Sequence, residues 1–444
     1  MTVESATLTM EPAARFVTTP VHERLEQAGF VWTRKRVLSK RAVMWLGQTC
    51  NQRCYFCYFI DRILDHKHPE HAFMSLEKAK QITSTLRYLY DCRAIDIQGG
   101  EPTVYKDIFE LIRHCRDIGL IPTLITNGLM LAKPGMVEKY RDAGLRDFLV
   151  SLHGVGDIHD EVVCVKGAYA KITAALENMR TAGFPFRINC TMSKPVVPIL
   201  TQVAEHAIRY GALAVNYIAF NPFNDQHTGH RRADTVARYS EIKPCLAEAI
   251  DMLEAAGIEV NVRYLPICMA EPRHRKNFYN FQQLSYDIHE WDYQSWLWTM
   301  KQPQMMRDGN PSPPLKIGAF ARRVYGQDPH KVRDTYEKHP VLYGAALKAQ
   351  HLLSTLQQKI KTAELMYQDE AKVRAAADCH YKYSEACAGC HVRQICDGFH
   401  GDYVDFFGTD EAQPITDVPP TDDPKFFIRD QWKIVYPEDR DWAL

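Results

Sequence analysis

The chain has 444 residues, 46% of them hydrophobic, which is enough for a sizeable core and for one large domain with a smaller one. Lys plus Arg and Asp plus Glu both total 54, so the charge balance excludes a globally basic binder of nucleic acid or anionic membrane and fits a small or neutral substrate. No apolar run reaches the length of a membrane span and no basic-then-apolar segment opens the chain, so a cytoplasmic protein with neither nucleic-acid nor membrane partners is expected.

Residues 1–40 mix Pro, Thr and charged side chains around one short helix near Val21 to Ala28 and carry no legible chemistry. From 41 to 223 short apolar strands alternate with longer amphipathic segments. The strands are predicted at Val43–Gly47, Ala94–Gln98, Thr123–Thr126, Phe148–Leu152, Phe186–Met192 and Val215–Phe220. Helices between them include Leu76 to Tyr90, with Ser75 as N-cap, and Ile108 to Ile118. Repeated βα units imply parallel strands with right-handed crossovers, and ligands at the strands' carboxyl ends.

The first of these ends carries Cys50, Cys54 and Cys57 in a CxxxCxxC array. Three thiolates on one loop suit zinc or an iron-sulfur cluster, but structural zinc usually takes four protein ligands, and three on a four-iron cube leave one iron open. At Cys50-Asn51-Gln52-Arg53-Cys54-Tyr55-Phe56-Cys57, with an aromatic before the last cysteine, the chain resembles the radical SAM superfamily. The resemblance implies a partial (β/α)6 barrel within an α/β fold. It also implies a [4Fe-4S] cluster whose open iron binds S-adenosylmethionine, a one-electron reductant such as flavodoxin or ferredoxin, and hydrogen-atom abstraction by a 5′-deoxyadenosyl radical.

The later strand ends carry the other unusual polar residues. Gly99-Gly100-Glu101-Pro102 follows the second strand, where two glycines permit close backbone approach. In the family this segment meets the amino group of S-adenosylmethionine. Thr126-Asn127-Gly128 and Ser151-Leu152-His153-Gly154 follow the third and fourth strands, and each by itself reads as turn chemistry. On the fifth strand Arg187, Asn189 and Thr191 share a face, either toward the site or on a solvent edge. Family position implies that Ser151 and Asn189 help hold the cofactor's ribose or carboxylate, and that Phe56 lies beside it.

Residues 224–370 read as a helix-rich connecting segment, entered through a further strand at Ile258–Leu265. After that strand, Cys268 has a thiol S–H weak enough to deliver a hydrogen atom to a carbon radical, against the ordinary fate of a buried cysteine. The aromatic run Trp291 to Trp298 could stack on sugar rings or simply fill core, and Asn310 to Pro314 marks a stiff boundary.

Residues 371–444 hold Cys379, Cys387, Cys390 and Cys396 in a Cx7CxxCx5C spacing, which suits zinc or a fully ligated [4Fe-4S] cluster. The CxxCx5C core resembles the SPASM and twitch extensions of radical SAM enzymes, which implies an auxiliary iron-sulfur cluster. His400 stands where the full pattern continues with cysteine, so one auxiliary cluster is expected and His400 is read as a neighbour. The tail from Asp402 is expected to pack over that site. Of the 13 cysteines, these four and the first three form the two clusters; Cys92, Cys115, Cys164, Cys190 and Cys245 are read, like Cys268 in the ordinary case, as small apolar residues rather than disulfide partners.

The leading functional expectation is hydrogen abstraction from a carbohydrate-containing small molecule, with epimerisation completed by Cys268 as donor, on the resemblance to radical SAM sugar epimerases and dehydrogenases of antibiotic pathways. If the auxiliary cluster accepts the substrate electron, the same start gives a dehydrogenase. Maturation of a ribosomal peptide is the third reading; only about forty residues precede the core, fewer than a peptide-recognition domain needs. A non-enzymatic iron-sulfur or zinc scaffold is the fourth.

Overall fold

Eight strands lie side by side in one parallel sheet in the computed structural model, which describes residues 21–67, 71–221, 234–292 and 361–444 with isolated positions between 295 and 356. A short strand β1 (Val31–Thr33) precedes them. The sheet then runs in chain order through β2 (Arg41–Trp45), β3 (Ala94–Gln98), β4 (Ile121–Thr126), β5 (Asp147–Ser151), β6 (Phe186–Met192), β7 (Ala214–Ala219), β8 (Glu259–Arg263) and β9 (Phe278–Tyr279). The curled half-barrel therefore has two strands more than the six expected of the partial (β/α)6 barrel. Strand β8 is the one predicted at Ile258–Leu265 and pairs in parallel with β7. Strand β9 has two residues, too few to show a period.

The helices form where apolar residues recur on one face, and they cover the outside of the sheet. Leu76–Tyr88 starts at Ser75, whose side chain accepts from the Lys78 amide, and buries Ala79, Ile82, Thr83 and Leu86. Beyond β9 the chain returns to the first edge, where Trp291 bridges Arg41 in parallel. Trp291 and Trp296 pack with Trp45 and Val43 of β2 and so serve as core. Positions 293, 294, 297 and 298 of that aromatic run, the Asn310–Pro314 boundary and residues 1–20 lie outside the described residues.

The amino-terminal half of the barrel is filled by charge rather than by aliphatic side chains. Fully buried Arg41 donates to Asp96 Oδ1 at 2.9 Å, and Arg187 Nε donates to Asp147 Oδ2 at 3.0 Å. The polar face of β6 thus points inward. Arg263 pairs with Asp287 and Glu290, and Arg146 with Asp439. Two groups in this plug come from strand β10 (Lys433–Val435) and its flank: Lys433 pairs with Glu259 and Asp287, and Tyr436 donates to Asp147. Strand β10 pairs antiparallel with β1, so the amino-terminal extension clamps the tail under the barrel. The stretch from Gln413 to Phe427 packs on the C-terminal cysteines as expected, and the last segment closes the opposite end.

Burial opposes the charge of Asp147, but the guanidinium groups of Arg187, Arg146 and Arg41 overcome it and hold the carboxyl well below the usual carboxylate range. Asp147→Asn leaves the buried Arg187 charge uncompensated and is expected to destabilise the chain by about 3–5 kcal/mol, read as a lowered urea midpoint. Because the native pKa is depressed, the stabilisation is present above the unfolded value near pH ~4 and is lost as pH falls through the native one. The wild-type midpoint should therefore drop more steeply below pH ~4 than that of the variant.

Candidate metal and cofactor site

The carboxyl ends of the strands open into a cavity enclosing about 1020 Å³. Cys50, Cys54 and Cys57 line it, each half-buried, on the loop that leaves β2. That loop is pinned from outside: the Arg53 and Tyr55 amides donate to the carbonyls of Val163 and Val162, and the Tyr55 hydroxyl donates to Ser193 at 2.6 Å. Within it the Cys57 amide donates to the Cys54 carbonyl at 3.0 Å, and the Gln52 amide to Cys50 Sγ at 3.4 Å.

The Gly99-Gly100 pair is zipped onto the same loop. The Gly100 amide donates to the Gly47 carbonyl at 2.7 Å and the Glu101 amide to that of Thr49 at 2.9 Å. A Cβ on Gly100 would lie 2.1 Å from the Thr49 carbonyl oxygen, and one on Gly99, at φ +152°, 2.4 Å from that of Gly47. The close approach these glycines allow is between two backbones, which sets the cysteine loop against the second strand end. Both still line the cavity.

Glu101 ties the second rim segment to the third. Its carboxylate accepts from the Thr103 amide and hydroxyl, the Thr126 hydroxyl and the Asn127 amide, at 2.5–3.0 Å. Burial still raises its pKa against those donors. Asn127 in turn donates to Asn51 of the cysteine loop at 2.7 Å. Pro102 is buried behind the wall as the first residue of a short turn, with Glu101 as its N-cap.

Ser151 and Asn189 face each other in register on β5 and β6, and both line the cavity. His153 lines it too. Its Nδ1 accepts from the Thr191 amide at 3.0 Å, which leaves the ring proton on Nε2. Burial lowers its pKa to about 3, so the ring stays neutral near pH 7. Phe56 packs on it with ring centres 4.6 Å apart. Gln52 and Asn221 are cavity residues with no signal in the sequence beyond their nearness to a strand end.

The C-terminal cysteines divide. Cys387, Cys390 and Cys396 line a second, smaller cavity, and Cys268 lines it with them rather than the first. This placement removes Cys268 from the wall where a hydrogen donor to substrate would stand. Cys379 is not brought to this cavity; it is buried in an apolar cluster with Tyr279 and Phe281, beyond the left-handed turn at His380. His400 caps the helix Gly401–Phe407, its Nδ1 accepting from the Asp402 amide at 3.2 Å.

Residues 46–201 match the model of the radical SAM superfamily. Among curated proteins, the AdoMet-dependent heme synthase of Methanosarcina barkeri is 39% identical over 127 residues, 28% of this chain and 36% of that protein. The PqqA peptide cyclase of Rhodopseudomonas palustris is 28% identical over 180 residues, 40% of this chain and 46% of that protein. The chain thus spans between about a third and a half of these relatives' length. Among solved structures, Streptococcus suis SuiB bound to S-adenosylmethionine aligns with a TM-score of 0.42 at 18% identity, covering 57% of this chain and 54% of that one.

The cofactors that a radical SAM domain implies, a [4Fe-4S] cluster and S-adenosylmethionine, fit this cavity. Burial pushes the Cys50 thiol up to about 12 and Cys57 up to about 11, and a bound cation would favour their thiolates again. The buried Nε2 of Gln52, in the same wall, has no partner among the described residues. Gly100→Ala is expected to pry the two loops apart, at about 1–3 kcal/mol. The variant should melt lower, and equilibrium dialysis of the cluster-loaded protein should show S-adenosylmethionine binding weakened at least about tenfold.

Proposed function

We propose that the radical SAM domain over residues 46–201 makes this chain an enzyme that abstracts a hydrogen atom from a peptide substrate, with a second cluster on the C-terminal thiols accepting the electron left behind. The observation that carries the radical chemistry is the convergence of Cys50, Cys54 and Cys57 with Glu101, Asn127, Ser151, His153 and Asn189 on one cavity. Similarity of the core to PqqA peptide cyclases from several bacteria supports a peptide substrate. The placement of Cys268 beside other cysteines takes away the donor that epimerisation of a sugar would need.

In this reading Cys50, Cys54 and Cys57 would hold the cluster. Bound there, cluster and S-adenosylmethionine supply a carbon-centred radical after one-electron reduction by a small donor such as flavodoxin or ferredoxin. Gly99 and Gly100 keep the cysteine loop in place, and Glu101 holds Asn127 toward Asn51. Ser151 and Asn189 offer hydrogen bonds to the cofactor's polar groups. Neutral His153 orients and shields, carrying no charge into the cavity near pH 7.

Anaerobic reconstitution followed by reduction with S-adenosylmethionine tests this. Wild type is expected to bind about eight irons and form 5′-deoxyadenosine, and Cys54→Ala to bind about four and form none. A candidate precursor peptide encoded beside the gene should lose two hydrogens by mass. Absence of 5′-deoxyadenosine from the loaded wild type overturns the radical reading, and an unchanged peptide alongside active cleavage overturns the substrate.

A further inference from the structure

We infer that Cys268, together with Cys387, Cys390 and Cys396, forms a closed four-thiolate site for the auxiliary iron-sulfur cluster, a set in which Cys268 replaces Cys379. This rests on the auxiliary-cluster reading above and names its ligands.

The four sulfurs line one cavity of about 340 Å³, between the turn that follows β8 and the C-terminal segment. Residues separated by more than a hundred positions meet there because Ile267 packs with Val392, Ile395 and Ile415 in one apolar cluster, with Cys268, Cys390 and Cys396 at its edge. The turn Ile267–Met269, entered through Pro266, presents Cys268 from the barrel side. Cys387 sits at the centre of the short turn Glu385–Gly389, and Cys390 follows as its C-cap. No other cysteine belongs to the wall.

Two of these sulfurs also receive a backbone amide: Gly398 donates to Cys396 and Ile415 to Cys390, each at 3.4 Å. Amide-to-sulfur bonds lower the negative charge on ligating thiolates and help set the potential of an iron-sulfur centre. Arg393, on the same wall, adds a positive charge beside Cys387. Four thiolates around a cube each bind a different iron and surround a volume. Ligation releases one proton from each thiol to solvent.

The site also joins two parts of the chain. Cys268 rides on the end of a barrel strand, so the cluster would staple the C-terminal module to β8 and fix its distance from the first cavity.

The test uses full-length protein carrying Cys50→Ala, Cys54→Ala and Cys57→Ala, so that only auxiliary iron is counted. After anaerobic reconstitution this parent should hold about four irons and four sulfides. Adding Cys268→Ala should leave less than about one iron, or a three-iron centre with its own electron paramagnetic resonance signal, while adding Cys379→Ala should leave about four. Cys268→Ser should retain a cluster with a shifted spectrum. A Cys268→Ser spectrum identical to the parent's overturns the assignment, whatever the alanine variant's yield, as does retention of about four irons in Cys268→Ala with loss in Cys379→Ala. A parent that binds no iron overturns it by a different route, because the auxiliary cluster itself then fails.

Discussion

The buried pairing of Arg187 with Asp147 and of Arg41 with Asp96 is the constraint around which the barrel is assembled. These charges lie on strands β2, β3, β5 and β6, and a charge taken from water without a partner costs several kcal/mol. None can be satisfied until strands far apart in sequence have come into register. The same demand reaches the ends of the chain, since Lys433 and Tyr436 complete the plug and β1 holds β10 against it. An aliphatic filling would tolerate slippage; a set of directional ion pairs does not.

With one end of the barrel closed by charge, the other is free to carry chemistry. The site there depends on backbone contacts more than on side-chain packing. Gly99 and Gly100 let the first two strand ends touch, and Glu101 extends the link to Thr126 and Asn127. The result is a wall whose thiols and amides are placed before any ligand arrives, which spares the cost of ordering them on binding. The raised thiol pKa values have the same origin, because the wall that orders the sulfurs also removes them from water.

The C-terminal module is built on a different principle. Its residues from Tyr381 to Phe399 form short turns closed by a single bridge between Lys382 and Phe399, with few regular elements. Small loop-rich modules commonly draw on metal ligation as well as packing. Its contact with the turn after β8 supplies both the apolar cluster and the additional thiol.

The sequence by itself determined the strand and helix alternation, the six central strands to within two residues at any end, and the two cysteine arrays, because period and spacing are local properties. Counting to the end of the fourth strand also put Ser151 on the rim, whereas Asn189 sits mid-strand and only the family resemblance pointed it at the cofactor. The sequence did not determine what Arg187 faced, what the tail covered, or which cysteines meet. Inward and outward faces of a strand share one period, so only the closed sheet made Arg187 a member of the ionic plug. Cys379 stands eight residues from Cys387 in the chain yet lies in another cluster, while Cys268 arrives from more than a hundred residues away. Tertiary structure alone decided that exchange, because nearness in sequence limits where a thiol can reach, but the register of β8 and the packing of Ile267 decide where it is.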